Sequence, residues 1–229
     1  MIKKNQNKHR LPAVFFILIL LVLISSIGFS GCSFAPLSKP YMYNSRVLPG
    51  KFNYKTSLKK WTRKADIYNR FNTVMFLRAT FLNAPFRYAY AMEYAKYYML
   101  TQKAFKEKLN KSYSNLNKYI GFFVSVYTPQ KDYNNLDSIR SIWLVYLINN
   151  KGESVLPLSI KPARQKRVFL KTFFPYVTDW SKQYIIKFPR YYNKKNKKLL
   201  INPSVKWIKL IITGVNGRAV LKWDFNAMP

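Results

Sequence analysis

Hydrophobic and polar positions change their period along this chain, dividing its body into a helical stretch and a longer run of strands. Asp66 to Leu82 is mixed, but Thr73-Val74-Met75-Phe76-Leu77 and Ala79-Thr80-Phe81 are rich in β-branched and aromatic residues and favour an extended segment. Asn83-Ala84-Pro85 then offers a cap and a proline suited to a first helical turn. Behind it Tyr88, Ala91, Met92, Ala95, Tyr98, Met99, Phe105 and Leu109 recur at helical spacing, which predicts one amphipathic helix over about 85–109 packed on a sheet. Lys96, Lys103, Lys106 and Lys108 fall on its other side.

Strand patterns follow. Gly121 to Tyr127, Ile139 to Ile148, Val155 to Ile160, Val168 to Phe174 and Tyr184 to Phe188 read as strands. Asn150-Lys151-Gly152 predicts a three-residue hairpin loop with glycine left-handed, and Asn216-Gly217 is the preferred central pair of a type I′ turn. With those two as the loop, Ile212 falls opposite Leu221, Leu210 opposite Trp223 and Ile208 opposite Phe225, while Lys209 faces Asp224 on the alternate side. About six to eight antiparallel strands with one long inserted helix predict a mainly β, sandwich-like single domain over residues 61–229.

The amino terminus is of another kind. Met1 to Arg10 holds Lys3, Lys4, Lys8 and Arg10 without an acid, and Ala13 to Ile24 is unbroken apolar sequence. A basic start followed by such a run is the layout of an export signal. An uncleaved transmembrane helix is the alternative, since the run alone is shorter than the roughly 18 to 20 residues that cross a bilayer core but reaches that length if extended through Ser25, Ser26 and Gly28 to Phe29. It leads to Phe29-Ser30-Gly31-Cys32, which contains the one cysteine of the chain. Ser30 and Gly31 before Cys32 resemble the lipobox of bacterial lipoproteins, with Phe29 where that family usually has Leu or another aliphatic residue. The resemblance covers residues 1–32. It implies cleavage between Gly31 and Cys32, a diacylglycerol on the Cys32 thiol, further acylation of the new amino terminus, and a protein held at a membrane surface. Ser33 rather than Asp after the cysteine implies the outer membrane of a two-membrane cell. Residues 32–60, with Pro36, Pro40, Pro49 and Gly50, then read as lipidated cysteine and extended tether.

Composition narrows the chemistry. The formal charge is +32, and losing Lys3, Lys4, Lys8 and Arg10 with the signal leaves +28. His9, the one histidine, would be lost as well, so the mature body has neither imidazole nor free thiol. Zinc sites of the Cys/His kind and His-assisted Ser or Cys nucleophiles therefore cannot be assembled. A disulfide framework is excluded too. The eight acids, Asp66, Glu93, Glu107, Asp132, Asp137, Glu153, Asp179 and Asp224, show no paired spacing and read as partners of nearby bases. No glycine-rich phosphate loop is present. No cofactor is expected.

Basic residues cluster at Lys59-Lys60, Arg63-Lys64, Arg164-Lys166-Arg167-Lys171, and most tightly at Lys194, Lys195, Lys197 and Lys198. A solvated loop in a lysine-rich chain is the bland explanation. Contact with an anionic envelope lipid or glycan is the functional one, and the export signal weighs against nucleic acid. The sequence therefore points to a membrane-anchored envelope lipoprotein acting as a non-enzymatic structural or binding module, with an envelope protein complex as a candidate partner. A receptor for an anionic polymer or lipid comes second and a His-free, Cys-free envelope enzyme third.

Overall fold

The chain is described by a computed structural model over residues 53–225. The signal, the cleavage site at Gly31 and Cys32, and most of the tether lie outside the described residues. The first element, helix α1 (Tyr54–Trp61), begins inside the stretch expected to be tether. Asn53 caps it by accepting from the amides of Lys55 (2.9 Å) and Thr56 (3.4 Å), and Tyr54 and Trp61 are both buried. Those two anchors make the segment part of the body.

Eleven strands follow among the described residues, and every pairing is antiparallel. Strands β1 (Thr62–Asn69), β2 (Asn72–Phe81), β3 (Ile120–Tyr127), β6 (Ser159–Pro162) and β7 (Lys182–Phe188) form a five-stranded sheet in the order β1-β2-β3-β7-β6. Strands β4 (Leu144–Asn149), β5 (Ser154–Val155), β10 (Trp207–Gly214) and β11 (Gly217–Asp224) form a second sheet, ordered β11-β10-β4-β5. A small hairpin pairs β8 (Tyr191–Asn193) with β9 (Lys198–Leu199).

The two larger sheets contribute to one apolar core. Its centre is Trp223, fully buried, whose ring meets Phe122 at 5.1 Å and Phe81 at 6.1 Å and whose Nε1–H donates to the Trp61 carbonyl at 2.8 Å. Burial of the indole is therefore matched by a partner for its one polar group.

The fold is mainly β as expected, but the expected single helix is two: α2 (Ala84–Tyr97) and α3 (Gln102–Ser114). Asn83 caps α2 as the sequence suggests, accepting from the Phe86 amide at 3.0 Å. The break comes where Met99 takes a left-handed conformation (φ +46°) and the Leu100 amide reaches back to the Ala95 carbonyl at 3.0 Å. That six-residue closure ends a helix in the manner of a Schellman motif, and Thr101 recaps the next helix through the Ala104 amide. The apolar residues kept helical spacing across the corner, so periodicity did not reveal it.

Other expectations are corrected. Val168 to Phe174 is not a strand but largely helix α4 (Arg167–Phe173), because Phe169, Leu170, Phe173 and Phe174 fall on one helical side facing the aromatic rings of α2. Asp66 to Leu82 holds parts of two strands joined at Arg70-Phe71, where Arg70 adopts φ +54° without help from glycine. Only the second half of Ile139 to Ile148 is strand, and Ile139 is fully exposed. Val155 to Ile160 is split at Pro157 between the two sheets. The Asn150-Lys151-Gly152 loop forms with Gly152 at φ +81°.

In the β10–β11 hairpin the loop is Val215-Asn216, not Asn216-Gly217. Leu210 pairs with Leu221, Ile212 with Ala219 and Ile208 with Trp223, while Lys209 faces Lys222 instead of Asp224. Lys222 pairs with Asp224 along its own strand at 2.6 Å, and Lys209 lies over the Trp207 ring at 4.5 Å. Gly217 pairs with Gly214 at φ +132°, and a Cβ there would come within 2.5 Å of Ile67 Cγ2. Its missing side chain thus serves the approach of β1 rather than a turn. Both registers keep the same residues on the same faces, so patterning could not separate them.

Candidate functional site

Register places the second face of the five-stranded sheet, the one turned from Trp223, in rows that cross the strands. Thr62, Thr80, Phe123 and Ile185 make one row. The next is polar: Lys64, Arg78, Ser125 and Gln183. Beyond it Asp66, Phe76 and Tyr127 make an aromatic row. Alternation along each strand is what delivers these positions to a common side.

The first row is roofed. Phe174, just past α4, stacks on Phe123 with centroids 3.9 Å apart, and Phe86 and Tyr90 of α2 join that cluster. A cavity of about 140 Å³ remains under the helices, lined by Arg87 with Leu82, Phe86, Tyr90 and Phe169 among others. Arg87 donates to the Leu82 carbonyl (2.7 Å) and to Ser112 Oγ (3.3 Å), tying α2 to β2 and α3. Burial lowers its pKa from the ordinary value, partly offset by Tyr119. This end is built as packing.

The cavity under the helices does not extend over the other two rows. Phe76, Arg78, Ser125 and Tyr127 from them form the floor of a second cavity, of about 260 Å³, bounded on one side by Tyr176, Thr178, Trp180 and Ser181. Phe76 stacks with Tyr127 at 5.9 Å and meets Tyr68 edge-on at 6.0 Å, giving three rings in sequence across three strands. Trp180 stands 81 % exposed at the rim. Its loop is braced: the Thr178 amide donates to Ser181 Oγ (3.0 Å), Gln183 Nε2 donates to the Ser181 carbonyl (2.7 Å), and Asp179 pairs with Lys171 (2.7 Å). That lysine, by hydrogen bond and charge, holds the Asp179 carboxyl below its usual range.

On the floor Arg78 pairs with Asp66 and also donates to the Leu77 carbonyl. Ser125 is buried as a residue, yet among the described residues its hydroxyl forms no hydrogen bond, and it lines the cavity. Where the two halves meet, Tyr176 and Thr80 hydroxyls lie 2.6 Å apart and Thr80 and Thr62 hydroxyls 2.7 Å apart. Tyr176 is partly buried as a residue, and burial around its hydroxyl pushes its pKa well above the ordinary value.

Lys194, Lys195, Lys197 and Lys198 are brought together on the β8–β9 turn, all exposed, with Lys197 at φ +49°. The turn is tied down through Glu153. That carboxylate accepts from Asn149 Nδ2 at 2.6 Å, and this bond leads the causes that lower its pKa, with Tyr192, Lys151 and Lys198 contributing. Four acids of the described residues form ion pairs with bases: Asp66, Asp137, Asp179 and Asp224. No group of three or more metal-ligating side chains occurs among the described residues.

Sequence reasoning missed the open cavity floor, although Phe76 and Tyr127 were both placed in extended segments. No protein family, curated protein or solved structure matches the chain.

Proposed function

We propose that this protein is an envelope lipoprotein, anchored through Cys32 and acting as a non-enzymatic binding module. The observation that carries the reading is the sequence Met1 to Cys32, a basic start, an apolar run and Ser30-Gly31-Cys32. Several acyl chains would hold it stably, since each buried CH₂ contributes about 0.8 kcal/mol and one chain alone is marginal. No helix of the described residues is long and apolar enough to cross a membrane. We take the two sheets as the layers of a sandwich, which would present a rigid face to a partner while the tether lets the body stand off from the bilayer. Cys32→Ser should give an uncleaved precursor that takes up no labelled fatty acid. Wild-type protein that keeps residues 1–31 and remains unlabelled would sink the assignment.

A second reading, a receptor for an anionic lipid or polymer, is supported by the four exposed lysines on one turn. Each lysine near an anionic membrane contributes about 1 kcal/mol, and the attraction fades as the screening length falls from about 10 Å at 0.1 M salt to about 3 Å at 1 M. Replacing all four by Gln should weaken low-salt binding of a chain beginning at Ser33 to anionic vesicles. Equal binding by both chains across salt would remove this site.

A further inference from the structure

We infer that the open half of the five-stranded sheet binds a neutral glycan, with pyranose rings laid on Phe76, Tyr127 and Trp180 and their hydroxyls turned to the polar row. The inference rests on the binding-module reading and gives that module a ligand class. Four observations carry it.

The first is the juxtaposition of rows. A sugar ring has an apolar face of C–H groups and a rim of hydroxyls, so it needs a flat apolar surface beside hydrogen-bonding groups. Phe76 and Tyr127 supply the surface, and Arg78 and Ser125, their neighbours two residues along each strand, supply the groups. The second is unused hydrogen-bonding capacity. The Ser125 hydroxyl has no hydrogen-bond partner among the described residues, and the Arg78 bonds to Asp66 and Leu77 both use its Nη1. The third is Trp180, a large ring 81 % exposed on a loop whose backbone is held by Ser181, Gln183 and the Lys171–Asp179 pair. A ring carried on a braced backbone leaves only its side-chain rotation to be ordered when a ligand covers it. The fourth is size: 260 Å³ falls just below the roughly 300–1,000 Å³ typical of sites for drug-sized molecules. It suits a ring or two of a longer chain rather than an engulfed cofactor.

Charge decides against a nucleic acid, the other polymer that stacks on sheet aromatics. Such sites track the phosphates with unpaired bases along the groove. Here Arg78, the base among the residues that line the cavity, is paired with Asp66, whose carboxylate shares the aromatic row, while Lys64 lies exposed at the β1 end of the polar row, outside that lining. A neutral glycan is indifferent to that carboxylate, whose oxygens can accept from its hydroxyls.

The test uses the full-length lipidated protein in neutral detergent, so that retention does not depend on the anchor. Insoluble chitin, cellulose and starch are the probes, beside immobilised heparin and oligothymidylate. Retention is expected on at least one neutral polymer and should persist in about 1 M salt, where charge attraction is screened. Trp180→Ala should lower it about tenfold, the scale of losing one large ring from a binding surface. Trp180→Tyr should restore most of it. Because Trp180 is exposed, an unchanged circular dichroism spectrum is expected for both variants. No retention on any of the three neutral polymers overturns the proposal, as does retention unaffected by Trp180→Ala. Salt-sensitive retention on oligothymidylate or heparin alone would replace it with an anion site. Fatty-acid labelling of the same sample reports the lipoprotein reading separately, so either can fail alone.

Discussion

The second face of the five-stranded sheet is continuous by register, yet its two ends are built differently. At one end Phe123 and Ile185 lie beneath α2 and α4, and rings of α2, of α4 and of Phe174 just past it close over them. At the other, Phe76 and Tyr127 are only partly buried and lie beside a rim tryptophan. The strands are the same strands, and a position only a few residues away decides whether an aromatic ring is core or platform. Aromatic content therefore says little about binding until the covering elements are known. The polar row between the ends is what makes the difference usable: Arg78 and Ser125 would be costly beneath a roof without partners, and at the edge of one they can meet a ligand.

The contrast breaks most visibly by truncating one ring in each half. Phe123→Ala should destabilise the fold by about 3–5 kcal/mol, the range for a fully buried phenylalanine, and release α4 from the sheet. Phe76→Ala should cost about 1 kcal/mol, as at a partly exposed site. Urea unfolding followed by far-ultraviolet circular dichroism measures both, and equal losses would mean that the open half is packed like the covered one.

A smaller effect comes from the border between the halves. Tyr176→Phe removes the hydroxyl that meets Thr80 and should cost about 1 kcal/mol near neutral pH. Its folded pKa lies above the unfolded value of about 10, as does that of Tyr54, whose buried hydroxyl donates to the Phe173 carbonyl. Below that pH both states hold the proton and nothing is lost. Above it the unfolded chain gives the proton up while the folded one keeps it, so stability should fall as pH rises beyond about 10. Thermal unfolding between neutral and strongly alkaline buffer should show a shallower decline for Tyr54→Phe with Tyr176→Phe than for wild type. Parallel declines would show that neither hydroxyl is sealed.

The smallest changes sharpen the open half alone. Asp66→Asn loosens a partly exposed ion pair and should move stability by about 1 kcal/mol or less. Trp180→Ala, at an exposed rim, should leave the unfolding midpoint within error while glycan retention drops. A large loss of stability in either would place those residues in the packing instead.

Much of the strand content could be read from local signals. Gly121 to Tyr127 and Tyr184 to Phe188 announce β3 and β7 through runs of β-branched and aromatic residues, and Asn150-Lys151-Gly152 announces its own loop, because such preferences act within a few residues. Asn83 and Pro85 likewise marked the start of α2. The corner at Met99 was not legible, since a methionine in a left-handed conformation is stabilised by the backbone bond to Ala95 and by no residue type that advertises it. The candidate site was less legible still. The four lysines are contiguous and could be picked out as a cluster, whereas Phe76, Tyr127 and Trp180 come from three separate stretches of chain.

By itself the sequence determined that the body is mainly β, that residues 33–229 contain neither histidine nor cysteine, and that Asn150-Lys151-Gly152 turns the chain, because composition and short-range backbone preference carry that information. Tertiary structure alone decided that Val168 to Phe174 would be largely helix, where aromatic packing against α2 outweighs β propensity. It also decided the β10–β11 register, where a shift of two residues leaves every face unchanged and the observed pairing sets Gly217 against Ile67 of β1. The open cavity floor is of the same kind: it exists because register aligns residues of neighbouring strands and because α2 and α4 stop short of covering them, and both facts depend on contacts between distant parts of the chain.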